Sequence, residues 1–77
     1  STVMQELYAG LAEIFETDTA EVNADTVLAN HNWDSLAIVS TIALVDEIRG
    51  ELLDGAALAE CVTVADIVAL IPQAQAA

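Results

Sequence analysis

Positive charge is almost absent from this sequence. Its 77 residues include one Lys or Arg, Arg49, beside thirteen Asp and Glu, and the formal net charge is −12. Nucleic acids and anionic membrane surfaces attract Lys and Arg, which replace the counterions of the phosphates. We therefore expect no nucleic-acid or membrane partner, and instead an attraction to basic protein surfaces.

Cysteine and long apolar runs are also scarce. The one cysteine, Cys61, cannot form a disulfide within the chain, so we expect packing alone to hold the fold, as suits a reducing cytoplasm. No apolar run reaches the roughly 18 residues that a membrane-spanning helix needs. The N-terminus lacks the basic and apolar regions of a secretion signal. These absences together predict a cytoplasmic location.

Apolar residues, in contrast, make up 56% of the chain. Such a chain is too apolar for intrinsic disorder, and its length allows one core but not two. We expect a single domain over residues 1–77 with a frayed tail over about 73–77. A chain this small rarely builds an active site of several residues, so we expect a role that depends on partners and no enzymatic activity.

The first part of the chain predicts a helix followed by a loop. Thr2 and Gln5 fit a capping box, and apolar residues at helical spacing follow as far as about residue 16. Gly10 is the one weak helix former in this pattern. Residues 17–33 break the periodicity with turn-forming Thr, Asn and Asp, but they also include apolar side chains. We expect an ordered loop that these side chains pin to the rest of the fold.

Three further helix signals follow. Asp34 and Ser35 are favoured at the start of a helix, and Gly50 is favoured just after its end. A short helix is expected over 56–60, and a capping pattern at 63–66 opens a last helix that a proline ends. The sequence thus predicts an all-α fold, a small helical bundle of three main helices plus one short helix, with a long loop after helix 1.

The residues that indicate chemistry lie where the loop turns into the second helix. Ser35 stands at a helix N-terminus, where the first N–H groups lack internal partners and the helix dipole is positive. A phosphate esterified to Ser35 would lie in a site that favours anions. Asp34 can cap the helix and also present a carboxylate that helps bind the Mg²⁺ of a visiting phosphotransfer enzyme. The same two residues equally suit a plain helix cap, and the pair alone leaves both interpretations open.

Asp34-Ser35-Leu36 matches the motif at the start of the second helix of acyl carrier proteins, and the chain resembles that family over residues 3 to about 71. The family's Thr-Val-x-Asp pattern at the last helix is matched at 63–66. The resemblance implies that Ser35 receives 4′-phosphopantetheine from coenzyme A through a phosphopantetheinyl transferase and Mg²⁺, while Asp34 and Leu36 contact the transferase. The thiol of the arm would hold acyl intermediates as thioesters and deliver them to fatty-acid or polyketide-type synthase enzymes.

The resemblance also implies partners. These are acyltransferase, ketosynthase-type or acyl-activating enzymes with basic docking patches, which a monomeric carrier would visit in turn. The expected docking residues are Trp33, Val39, Ala43, Asp46 and Glu47. The chain also departs from the family pattern. Asn32 stands where the family usually has glycine, and we expect it to take the same left-handed conformation. Ser40 stands where many relatives carry Glu.

Other interpretations stay open at this stage. The protein could instead be a peptidyl or aminoacyl carrier of a nonribosomal peptide pathway, or an acidic helical module that binds partners without a covalent cofactor. His31 near Ser35 suggests an acyl-transfer pair, but no oxyanion donors accompany it. His31 and Cys61 are too few for a zinc site, so no metal is expected. Cys61 is more simply a small buried residue, and Trp33 more simply covers the junction of loop and helix.

Overall fold

The computed structural model describes residues 2–72, and it confirms the predicted all-α bundle. The α-helices are α1 Val3–Phe15, α2 Ser35–Arg49, α3 Gly55–Ala59 and α4 Val64–Leu70. Within the described part of the chain, strand-like pairing is confined to one isolated antiparallel bridge between Val27 and Thr63. The tail predicted to fray, 73–77, lies outside the described residues.

Helix α1 begins with the predicted capping box. The Thr2 hydroxyl accepts a hydrogen bond from the Gln5 N–H at 3.1 Å, and the Gln5 side chain accepts one from the Thr2 N–H at 2.9 Å. The helix ends at Glu16, which takes the left-handed conformation with φ 58°. Between these ends, Leu7 and Leu11 are 1% and 0% exposed. The apolar stripe that predicted the helix is therefore the stripe that enters the core.

Gly10 allows α1 and α2 to approach each other closely. A Cβ atom at this position would lie 2.7 Å from Cδ2 of Leu44 on α2, well inside van der Waals contact. A glycine within a helix costs about 0.5–1 kcal/mol relative to alanine. The close packing of Leu44 on the α1 backbone gives this glycine a structural role that offsets that cost.

The long first loop is ordered, as predicted, and contains two short 3₁₀ helices over Thr19–Glu21 and Leu28–His31. Both of its inward-facing apolar side chains, Val22 and Leu28, are buried. Backbone hydrogen bonds join the loop to the segment before α4, including the Leu28 N–H to the Val62 carbonyl at 2.9 Å. The 3₁₀ turns themselves were not predicted, because the loop lacks helical periodicity.

Helices α3 and α4 close the core. Leu58 from α3 and Val64 and Ile67 from α4 are 0% exposed. Helix α4 ends before Ile71, which has φ −94° and ψ 113°. This extended conformation is the one that the following Pro72 favours, because its ring clashes with a helical residue before it. The predicted stop at the proline is confirmed.

Candidate functional site

The start of α2 is held by Asp34. Its backbone is extended, and its side chain accepts a hydrogen bond from the Ala37 N–H at 2.9 Å. Its carbonyl accepts one from the Ile38 N–H at 3.0 Å. The predicted cap is confirmed. The N–H groups of Ser35 and Leu36 come before these two and have no acceptor within an α-helix, so they face outward at the helix tip.

The chain turns sharply just before this cap. Asn32 has φ 57° and ψ 60°, the left-handed conformation expected when it replaces glycine. The Asp34 N–H then donates to the Asn32 carbonyl at 2.8 Å. Asn tolerates this conformation better than most residues with a Cβ. The turn sets the direction in which the chain enters α2.

Aromatic residues anchor the turn to the rest of the bundle. The Trp33 indole N–H donates to the Leu58 carbonyl of α3 at 2.9 Å. The rings of Trp33 and Phe15 meet edge to face, with their centroids 6.3 Å apart. The imidazole of His31 stacks on the same Phe15 ring, with the centroids 4.8 Å apart. Trp33 therefore covers the junction of loop and helix, which is the simpler of the two roles that the sequence suggested for it.

The contributions of Phe15 and Leu58 to this anchor were not predicted. Phe15 looked like an ordinary core residue of α1, and Leu58 contributes a carbonyl, which any residue has. The Trp33–Leu58 bond spans 25 positions. No short-range pattern in a single sequence carries such a contact.

Ser35 is exposed, and several predicted docking residues share its side of α2. Leu36 and Val39 are 74% and 60% exposed, and they give this side of α2 an apolar part. The exposed docking candidates farther along the helix are Ala43, Asp46 and Glu47. Trp33 differs from these, because it is half-buried and packed against Phe15. The part that any of them plays in docking stays a prediction.

Charge is unevenly distributed along this surface. After Asp34, no charged side chain occurs on α2 until Asp46. An anion at Ser35 would thus meet the positive helix terminus and apolar neighbours, with one carboxylate beside it that is engaged in the cap. Asp46 lies eleven positions after Ser35, which is roughly 16 Å along an α-helix. The exposed side of α2 is therefore apolar close to Ser35 and acidic toward the C-terminal end of the helix.

Cys61 is the other residue with reactive chemistry that the sequence singled out. Over residues 2–72, no three His, Cys, Asp or Glu side chains come together in a way that could hold a metal ion. Cys61 is half-buried rather than fully buried, and its thiol donates to the Ala57 carbonyl at 3.5 Å. Burial first, and then the negative charge of Asp66, raise the pKa of Cys61. A raised pKa disfavours the reactive thiolate.

Comparison with known proteins identifies the family. None of the helices within residues 2–72 is long and apolar enough to cross a bilayer. A search among curated proteins found no match. The family described as "phosphopantetheine attachment site" matches residues 5–71, which include nearly all of α1 and the whole of α2, α3 and α4. This match confirms the resemblance to acyl carrier proteins. The chain therefore belongs to the phosphopantetheine-binding carrier family, whose covalently attached prosthetic group is 4′-phosphopantetheine.

Proposed function

We propose that Ser35 is the residue to which the phosphopantetheine arm is attached. The observation that carries this proposal is the exposure of Ser35 at the first position of α2, inside the motif that suggested it. The chain has two other serines. Ser40 lies in the middle of α2, half-buried beside α1, and Ser1 lies outside the described residues.

The residues around Ser35 suit a phosphodiester. The outward N–H groups of Ser35 and Leu36 can donate to its oxygens, and the helix dipole favours its negative charge by about 0.3–1 kcal/mol. Asp34 uses one carboxylate oxygen for the Ala37 N–H, which fixes its side chain at the start of α2. The exposed hydroxyl leaves room for a transferase to approach. When attached, the arm supplies a terminal thiol that carries an acyl group as a thioester.

The bundle itself serves as a rigid carrier. Trp33 and Asp34 hold the turn and the helix start through hydrogen bonds to α3 and α2, so the attachment point keeps one orientation. A flexible arm on a fixed point raises the effective concentration of its load at each enzyme that the carrier visits. The chain needs no catalytic group of its own for this role, and we propose that it is not an enzyme.

We further propose that partners dock on the exposed side of α2. Leu36 and Val39 would meet an apolar surface near the partner's active-site entrance. Asp46 and Glu47 would meet basic groups farther away, which speeds encounter and allows rapid release. The transferase and the acyltransferase, ketosynthase-type or acyl-activating enzymes would share this surface.

The pathway we propose is fatty-acid or polyketide-type synthesis, in a single cytoplasmic carrier domain that works as a monomer. The motif context of Trp33-Asp34-Ser35-Leu36 supports acyl cargo, because it resembles acyl carriers more than peptidyl carriers. An aminoacyl or peptidyl carrier would have the same covalent chemistry. Loading tests separate the two: purified acyltransferases should load the holo protein, and amino-acid adenylation enzymes should not.

The attachment proposal is tested by incubating the protein with a promiscuous phosphopantetheinyl transferase, Mg²⁺ and coenzyme A. Intact mass spectrometry should show one added phosphopantetheine on the wild type and on Ser40→Ala, and none on Ser35→Ala. Circular dichroism of the variants checks that each remains folded. Addition to Ser35→Ala would assign the attachment to another residue, and no addition to the wild type would favour an acidic interaction module.

A further inference from the structure

A groove of about 680 Å³ lies between α1 and α2. Small residues open it, namely Ala9 and Gly10 on α1 and Ala43 on α2, and its floor includes the half-buried side chains of Ile14 and Leu44. It is apolar along its base and open to solvent along its length. Two of the docking candidates named above, Ala43 and Glu47, also line this groove, whereas its α1 side has been given no role.

A second depression, of about 270 Å³, continues the first one toward the start of α2. The two share Ile14 and Ser40, and the second reaches Asp34 and Leu36. Together they form one trough, which we call the α1–α2 trough. It extends from Ile48 to Asp34, roughly 21 Å measured along an α-helix.

The charge around the trough has one sign. Glu6 and Glu13 of α1 and Glu47 of α2 line the larger part, and all three are exposed. Among the described residues that line the trough, none is Lys or Arg. A second copy of this chain is a poor occupant, because each copy carries a net charge of −12. The complementary surface is apolar on one side and basic at its edges.

We propose that the α1–α2 trough binds a basic amphipathic helix of a partner protein. A helix of about 15 residues would match the length of the trough, with small apolar side chains in the groove and Lys or Arg against the three glutamates. Ser40, Leu44 and Ile48 face this trough at four-residue spacing, whereas Ser35, Val39 and Asp46 lie on another side of α2. The bound helix would leave Ser35 itself uncovered, but it would overlap the proposed docking surface at Leu36, Ala43 and Glu47. The inference therefore rests on the docking proposal and names the chemistry of a docking partner and the α1 residues that it would contact.

The proposal is tested with a synthetic helical peptide of about 15 residues, built from Leu, Ala and Lys with one apolar stripe. Titration into ¹⁵N-labelled protein should shift the amide signals of Ala9, Gly10 and Leu44. The same peptide with Glu in place of Lys should not bind. Shifts confined to the side that carries Ser35 and Val39 would overturn the proposal, as would equal binding of the acidic peptide or no binding of the basic one.

Charge variants separate the trough from general attraction between opposite charges. The double variant Glu13→Lys/Glu47→Lys should weaken peptide binding about tenfold, because two attractive contacts become repulsive. The matched control Asp18→Lys/Glu60→Lys changes the net charge equally at exposed positions outside the trough and should change binding less than about twofold. Equal weakening in both variants would show that only net charge matters, and the trough would then not be a specific site.

Discussion

Replacing Asp34 should separate its capping role from the role of its charge. The Asp34 side chain accepts the Ala37 N–H at 2.9 Å and so stabilises the start of α2. Loss of such a cap costs about 0.5–2 kcal/mol when alanine replaces it, whereas asparagine caps almost as well as aspartate. Asparagine lacks the negative charge, which contributes about 0.3–1 kcal/mol at a helix N-terminus in low salt.

We therefore expect Asp34→Ala to destabilise the protein by about 1 kcal/mol more than Asp34→Asn does. For a domain of this size, 1 kcal/mol corresponds to a decrease of about 4–8 °C in Tm. Urea unfolding followed by circular dichroism gives the free energies. The small cost of Asp34→Asn should disappear in high salt because it is electrostatic, while the additional cost of Asp34→Ala should persist.

Asp54→Ala is the matched control, since Asp54 caps α3 through a longer contact of 3.4 Å to the Ala56 N–H. It should cost less than Asp34→Ala. The capping account is refuted if Asp34→Asn and Asp34→Ala destabilise the protein equally, or if neither does. Measuring the transferase rate on the same variants adds a second result: if Asp34→Asn is fully stable but modified slowly, the carboxylate itself contacts the transferase or its Mg²⁺.

Three further predictions concern the stability of the bundle. Gly10→Ala should destabilise the bundle by about 0.5–2 kcal/mol, because overpacking against Leu44 outweighs the gain in helix propensity. In a double-mutant cycle with Leu44→Ala, additive changes in the free energy of unfolding would contradict this. Asp66 accepts N–H bonds from Val62 and Thr63 that lower its pKa. The Asp66 carboxylate therefore stabilises the fold above the usual Asp pKa, and this stabilisation is lost as the pH falls through the lowered pKa. The Tm advantage of the wild type over Asp66→Asn should accordingly shrink in acid. A Tm advantage that does not depend on pH would contradict this prediction. Finally, Tm should rise when NaCl is added. In about 0.01 M salt the screening length is roughly 30 Å, which is longer than the molecule, so the acidic side chains repel one another across the whole bundle. A Tm that does not change with salt would refute this prediction.

Local features of the fold were predictable because their determinants are close in sequence. The capping box at Thr2, the Asp34 cap and the left-handed Asn32 each depend on atoms within three residues. The helix boundaries follow from these signals and from the spacing of apolar residues. The same locality explains why Ser35 could be placed at a helix tip before the structure was known.

Features that depend on distant partners could not be predicted in this way. Gly10 weakened the prediction of α1, yet its lack of a Cβ leaves room for Leu44, a residue from another helix. The stack of His31 on Phe15 and the bond from Trp33 to Leu58 join segments far apart in sequence. The α1–α2 trough likewise exists only once the two helices pack. Such contacts arise from tertiary packing, and a single sequence does not encode them in any local pattern.

The most direct test of the attachment proposal is to locate the prosthetic group on the chain. After modification by a transferase with coenzyme A and Mg²⁺, proteolysis and fragmentation mass spectrometry should assign phosphopantetheine to the Ser35 hydroxyl in the peptide that contains Asp34 and Leu36. Unmodified Ser35 together with phosphopantetheine on Ser40, or on any other residue, would contradict the account.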